Sequence, residues 1–91
     1  MAKFTLAETP DRTQLVVSSV DGGSEISRFP VEQVLARFQG DMRQLLSAFE
    51  YSDRIGLPLA VNGSAADFGE QMHQNVLYDR GRTSDDDRFD D

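Results

Sequence analysis

PVEQVLARFQGDMRQLLSAFE, residues 30–50, is the stretch that decides the fold. With Val31 as origin and an advance of about 100° per residue, Val34, Leu35, Phe38, Met42, Leu45, Leu46 and Phe49 all fall within about 60° of it. The opposite face carries Glu32, Gln33, Arg37, Gly40, Arg43, Gln44 and Ser47. This stripe predicts one long amphipathic helix over 31–50. Pro30 suits its start, because the missing N–H has no intrahelical partner there. Gly40 lies mid-helix on the polar face, at a cost of about 1 kcal/mol relative to Ala; it reads either as a tolerated glycine or as a close approach by another backbone. Tyr51, Ser52 and Asp53 extend the last turn, and Gly56 marks the end.

Working outward toward the N-terminus, residues 3–8, KFTLAE, alternate with Phe4 and Leu6 on one face, the period of a half-buried strand. Thr9-Pro10-Asp11-Arg12 reads as a turn. TQLVVSSV, residues 13–20, is rich in β-branched residues and is followed by Asp21-Gly22-Gly23-Ser24 and then EISRF. Two such runs around Asp-Gly or Gly-Gly predict a β-hairpin, because the central residues of its turn need positive φ. The turn centres on Asp21-Gly22 or on Gly22-Gly23, and the choice moves the register by one.

Toward the C-terminus, IGLPLAV, residues 55–61, is apolar but contains Pro58, so it reads as an edge strand or a buried connector. Asn62-Gly63 makes a turn. Ser64-Ala65-Ala66-Asp67 resembles a capping box and opens a second, shorter helix over about 64–78, with Ala65, Phe68, Met72 and Val76 clustered, Leu77 on the far side and Gly69 weakening the first turns. DRGRTSDDDRFDD, residues 79–91, has no periodicity and a high charge density, and reads as a disordered acidic tail.

The expected architecture is therefore α+β: one domain over 1–78, with a three-stranded antiparallel meander (3–8, 13–20, 24–29) packed against the long helix and the shorter one beside it. Phe4, Leu6, Val17, Ile26, Val34, Leu35, Phe38, Leu45, Leu46, Phe49 and Phe68 are the expected core. A chain of 91 residues buries only about 60–65% of its unfolded surface. With no cysteine it has neither a disulfide nor a thiolate metal site.

Charge is distributed unevenly. The chain has 16 acidic and 9 basic residues, and 85–91, DDDRFDD, holds five Asp and one Arg, a net −4 of the formal −7. Acidity gathered at one end argues for a solvated tail or a docking peptide rather than a uniform phosphate-like surface. Direct nucleic-acid binding is disfavoured, since phosphate contacts need Lys and Arg and there is a single Lys, Lys3. No segment approaches the roughly 20 apolar residues of a membrane span, and the N-terminus carries no signal-peptide pattern, so the expected compartment is the cytoplasm.

Groups for catalysis are sparse. The lone His73 has no Ser or Asp at a recognisable motif spacing, and no Gly-rich phosphate loop occurs. Tyr51, Asp53, Arg54 and His73 are the residues a small enzyme or ligand-binding domain would use. Asp85, Asp86, Asp87, Asp90 and Asp91 lack the bend glycine and terminal Glu of a calcium loop, so neither metal nor cofactor is expected. Asn62-Gly63-Ser64 matches a glycosylation acceptor formally, but turn and cap account for it. Arg80-Gly81-Arg82 is too short for an RNA-binding tract and meets Asp at once.

Phe89 stands out, since a solubilising tail has no use for an aromatic residue between aspartates. The last seven residues are similar in composition to the tips of bacterial single-stranded-DNA-binding proteins, although Phe89 is not terminal here; the similarity implies a docking peptide and nothing about the domain. The function expected is a small acidic non-enzymatic protein-binding module: an inhibitor, adaptor or regulatory subunit of a larger, basic protein, of a kind associated with phages and mobile elements. A nucleic-acid mimic is the alternative, and a small enzyme or ligand-binding domain the second. The candidate contact residues are Asp85, Asp86, Asp87, Phe89, Asp90 and Asp91 in the tail, with Leu57, Leu59 and Val61 as a second patch that could instead close a homodimer.

Overall fold

The computed structural model describes residues 2–90, with side chains described as far as Tyr78. It is an α+β fold in which strands β1 (Phe4–Glu8), β2 (Gln14–Ser19) and β3 (Glu25–Pro30) form an antiparallel sheet in the order β1-β2-β3. Helices α1 (Val31–Leu35), α2 (Met42–Ile55) and α3 (Ala65–Asp90) follow, with a 3₁₀ turn, Ala36–Phe38, continuing α1. The three strands of the meander are as expected, each within a residue or so of its predicted bounds.

Opposite residues of an antiparallel pair share a face. The pairs Leu6↔Val17 and Leu15↔Phe29 therefore turn Leu6, Leu15, Val17 and Phe29 to one side, where the helices lie. There Phe29 stacks on Phe68 of α3 at 4.7 Å, and Phe49 of α2 meets Phe68 edge-on at 6.3 Å. Leu15, Val17, Val34, Leu45, Phe68 and Met72 have no solvent exposure. The predicted core is thus right for Val17, Val34, Phe38, Leu45, Phe49 and Phe68, while Phe4, Leu6 and Leu35 pack against its margin.

Ile26 and Leu46 are corrections, each being 37% exposed. Ile26 falls where the β2–β3 register slips between Val17 and Ser18, so that Ser18 pairs with Glu25 and Ile26 is left over. Leu46 sits at the margin of the α2 stripe, whose buried line is Leu45, Ala48, Phe49 and Ser52.

The single helix over 31–50 is also corrected. Gln39 and Gly40 take left-handed φ values of 54° and 80°, which end the first segment, and Asp41 opens the second by accepting from the amides of Arg43 (3.0 Å) and Gln44 (3.2 Å). No Cβ at Gly40 would meet anything within 4 Å. Gly40 therefore serves a chain reversal rather than a close approach. The stripe survived the break because both segments face one core.

The close approach belongs to Gly69 on α3, where an added Cβ would lie 3.0 Å from the Val34 carbonyl oxygen. This glycine lets α3 cross α1 almost backbone to backbone. α3 starts as its capping residues predict, with the Asp67 amide donating to Ser64 Oγ at 3.1 Å. Its bounds, Ala65–Asp90, exceed the expected 64–78; the side chains of 79–91 lie outside the described residues, and with them the expected tail.

Gly56 ends α2 with φ 82°. Leu57 N–H donates to the Ser52 carbonyl at 2.8 Å and Gly56 N–H to that of Asp53 at 3.3 Å, a Schellman closure. Residues 57–61 then run as a connector without strand pairing. It is tied down at both ends: Asn75 Nδ2 donates to the Pro58 carbonyl and to Ser52 Oγ, each at 2.9 Å, and the Ser27 hydroxyl donates to the Val61 carbonyl.

Between β1 and β2, Asp11 organises the turn. Its carboxylate accepts from the Thr9 hydroxyl (2.7 Å), the Thr13 hydroxyl (2.8 Å) and the Thr13 amide (3.1 Å), and these bonds hold it below the usual aspartate range.

Candidate functional site

An antiparallel strand turns alternate residues toward each neighbour. On β1, Val20 N–H donates to the Lys3 carbonyl at 3.0 Å and Thr9 N–H to the Gln14 carbonyl at 2.9 Å, which fixes the phase. Thr5 and Ala7 therefore bond to β2, whereas Phe4, Leu6 and Glu8 direct their backbone groups away from the sheet. Sheet order leaves β1 with a single strand neighbour.

The first outward donor is already occupied. Asp53, in the last turn of α2 and only 5% exposed, accepts from the Lys3 amide at 3.0 Å and the Phe4 amide at 3.2 Å. Burying a carboxylate is costly unless donors surround it; these two amides supply them and pin the start of β1 against α2. Beyond that point helix and strand diverge, leaving an open slot of about 520 Å³ lined by Phe4, Leu6, Leu46, Phe49, Glu50 and Arg54. Phe4 and Leu6 are half-buried on one wall and Leu46 stands on the other. The slot thus joins an apolar trough to the outward backbone of Leu6, and the outward groups of Glu8 follow two residues further along the same edge.

A second groove, of about 400 Å³, separates α2 from α3. Its walls include Phe38, Ala48, Tyr51 and Val76, with Arg43 and His73 at the rim, and the His73 ring stands edge-on to Phe38 at 5.9 Å. Tyr51 and His73 therefore belong to this groove, while Asp53 and Arg54 belong to the slot. The four residues considered for catalysis do not converge.

Leu57, Leu59 and Val61 do not form a common exposed patch. Val61 is a core residue at 7% exposure, Leu59 packs against the core, and Leu57 is half-buried. The apolar surplus of 55–61 is only partly covered, since Ile55 is exposed while Leu59 and Val61 pack inside. Asp85, Asp86, Asp87, Phe89, Asp90 and Asp91 lie outside the described side chains.

What the sequence reading missed is the slot, because its residues were assigned to the core. The available signal was topological: the first strand of a meander has one neighbour, whatever its side chains. Among the described residues no helix is long and apolar enough to cross a membrane, and no three His, Asp or Glu gather to hold a metal ion. No family model, curated protein or solved structure matches the chain.

Proposed function

We propose that this is a non-enzymatic protein-binding module, an inhibitor, adaptor or regulatory subunit acting in the cytoplasm on a larger, basic protein. It captures an extended segment of that partner along the outer edge of β1. The observation that carries the reading is the pairing of outward-facing backbone groups at Leu6 and Glu8 with an apolar trough beside them. Strand addition draws affinity from such main-chain groups and specificity from pockets that take alternate side chains. An apolar partner residue fits between Leu6 and Leu46, and its neighbours bond to the edge. The formal charge of −7 favours encounter with a basic partner. The non-enzymatic reading rests on how the buried polar groups are used: Asp53 holds the amides of Lys3 and Phe4, and Asn75 holds Ser52 and Pro58.

Selection from a displayed library of unstructured peptides, with the full chain as bait, tests this. Selected peptides should slow amide exchange at Leu6 and Glu8. Glu8→Pro removes one outward donor at an exposed site, and Leu46→Arg blocks the trough; each should weaken binding at least about tenfold. Peptides whose affinity neither substitution changes would place binding on another surface.

A further inference from the structure

We propose that the groove between α2 and α3 receives the acidic, Phe89-bearing end, residues 85–91, of a second copy of this chain. This surface is separate from the β1 edge, and the inference stands whether or not β1 takes a peptide.

Charge complementarity carries it. Among the described residues no carboxylate lines this groove, and its lining includes Arg43 and His73. Arg43 is exposed, and among the described residues its guanidinium has no carboxylate partner. By contrast Arg28 and Arg37 are paired, with Glu25 at 2.9 Å and Glu70 at 3.1 Å. Phe38, Ala48 and Val76 form an apolar floor, flanked by Gln44, Ser47 and Tyr51. The groove therefore fits a ligand with one ring and several carboxylates, and DDDRFDD is the one segment of this sequence with that chemistry. Phe89 would enter the floor while neighbouring aspartates meet the Arg43 fork.

The donor must be another molecule. His73 and Val76 belong to α3, and residues 85–90 continue that same helix. A helix cannot fold back onto its own face, so a chain's acidic end cannot reach its own groove. Reciprocal exchange between two copies closes a two-fold pair, and one-way exchange builds longer assemblies.

Light scattering on the full chain across a wide concentration series is the test. At low salt the mass should rise above that of one chain, and added salt should reverse it. Arg43→Glu and Phe89→Ala should each weaken association at least about tenfold, with thermal melts confirming that both variants fold. Mixing Arg43→Glu with a chain carrying Asp85→Arg, Asp86→Arg and Asp87→Arg should restore it. A single-chain mass at every concentration overturns the proposal. So does association that survives Arg43→Glu, or that is lost with Arg43→Glu but kept with Phe89→Ala, since any acidic surface would then suffice.

Discussion

Two residues, Gly69 and Asp53, show how single positions set the geometry. On an exposed helix Gly→Ala gains about 1 kcal/mol; at Gly69 the new methyl would press on the Val34 carbonyl at 3.0 Å and the Arg37 side chain at 3.3 Å. Overpacking costs about 1–3 kcal/mol, so Gly69→Ala is expected to lower stability, a reversal of sign that urea unfolding can read. Asp53→Ala strips the acceptor from two amides at once. A loss of about 1–3 kcal/mol, with faster hydrogen exchange at the Phe4 amide, is the expected result; unchanged exchange there would mean the carboxylate does not anchor β1. Neither role was legible in the sequence. A glycine in a helix and an aspartate in its last turn look alike whether they face water or another backbone.

At the level of elements, alternation disclosed β1, β-branched richness disclosed β2, and the glycine turn that follows it disclosed its hairpin with β3. Capping chemistry disclosed the ends at Ser64 and Gly56. The helix break at Gln39–Asp41 was missed although its signals were present, a glycine followed by an aspartate able to cap; the periodic stripe outweighed them because both segments address one core. Ile26 was missed for another reason, since a register slip depends on the partner strand and leaves no mark in its own. The β1–β2 turn allows a test by acidity. Its three bonds lower the Asp11 pKa, so the stabilisation they give is present above the ordinary value of 3.8 and is lost as pH falls through the lower folded value. Asp11→Asn should remove that part of the acid dependence while leaving unfolding curves above about pH 5 parallel to the parent; an unchanged acid profile would assign the turn's stability elsewhere.

For the whole molecule, one aromatic stack joins the sheet to the helices. Phe68 touches Phe29 from β3 and Phe49 from α2, so Phe68→Ala should cost about 3–5 kcal/mol, comparable to the entire stability of a domain this small. Loss of the cooperative thermal transition is the expected readout, and a melt near that of the parent would show that the layers are held together by other contacts. The grip of Asp53 on Lys3 and Phe4 has a practical bearing on how the protein is handled. Because Ala2 lines the slot, a purification tag or tethering peptide fused ahead of it emerges at the mouth of the trough and competes for the surface that an assay is meant to measure. Attachment is better made at the opposite edge of the sheet. Asn62 is exposed, next to the Val61 carbonyl that β3 holds through Ser27, and the chain has no native cysteine to interfere. A single cysteine at that position gives a site-specific handle that leaves the outer edge of β1 facing solution.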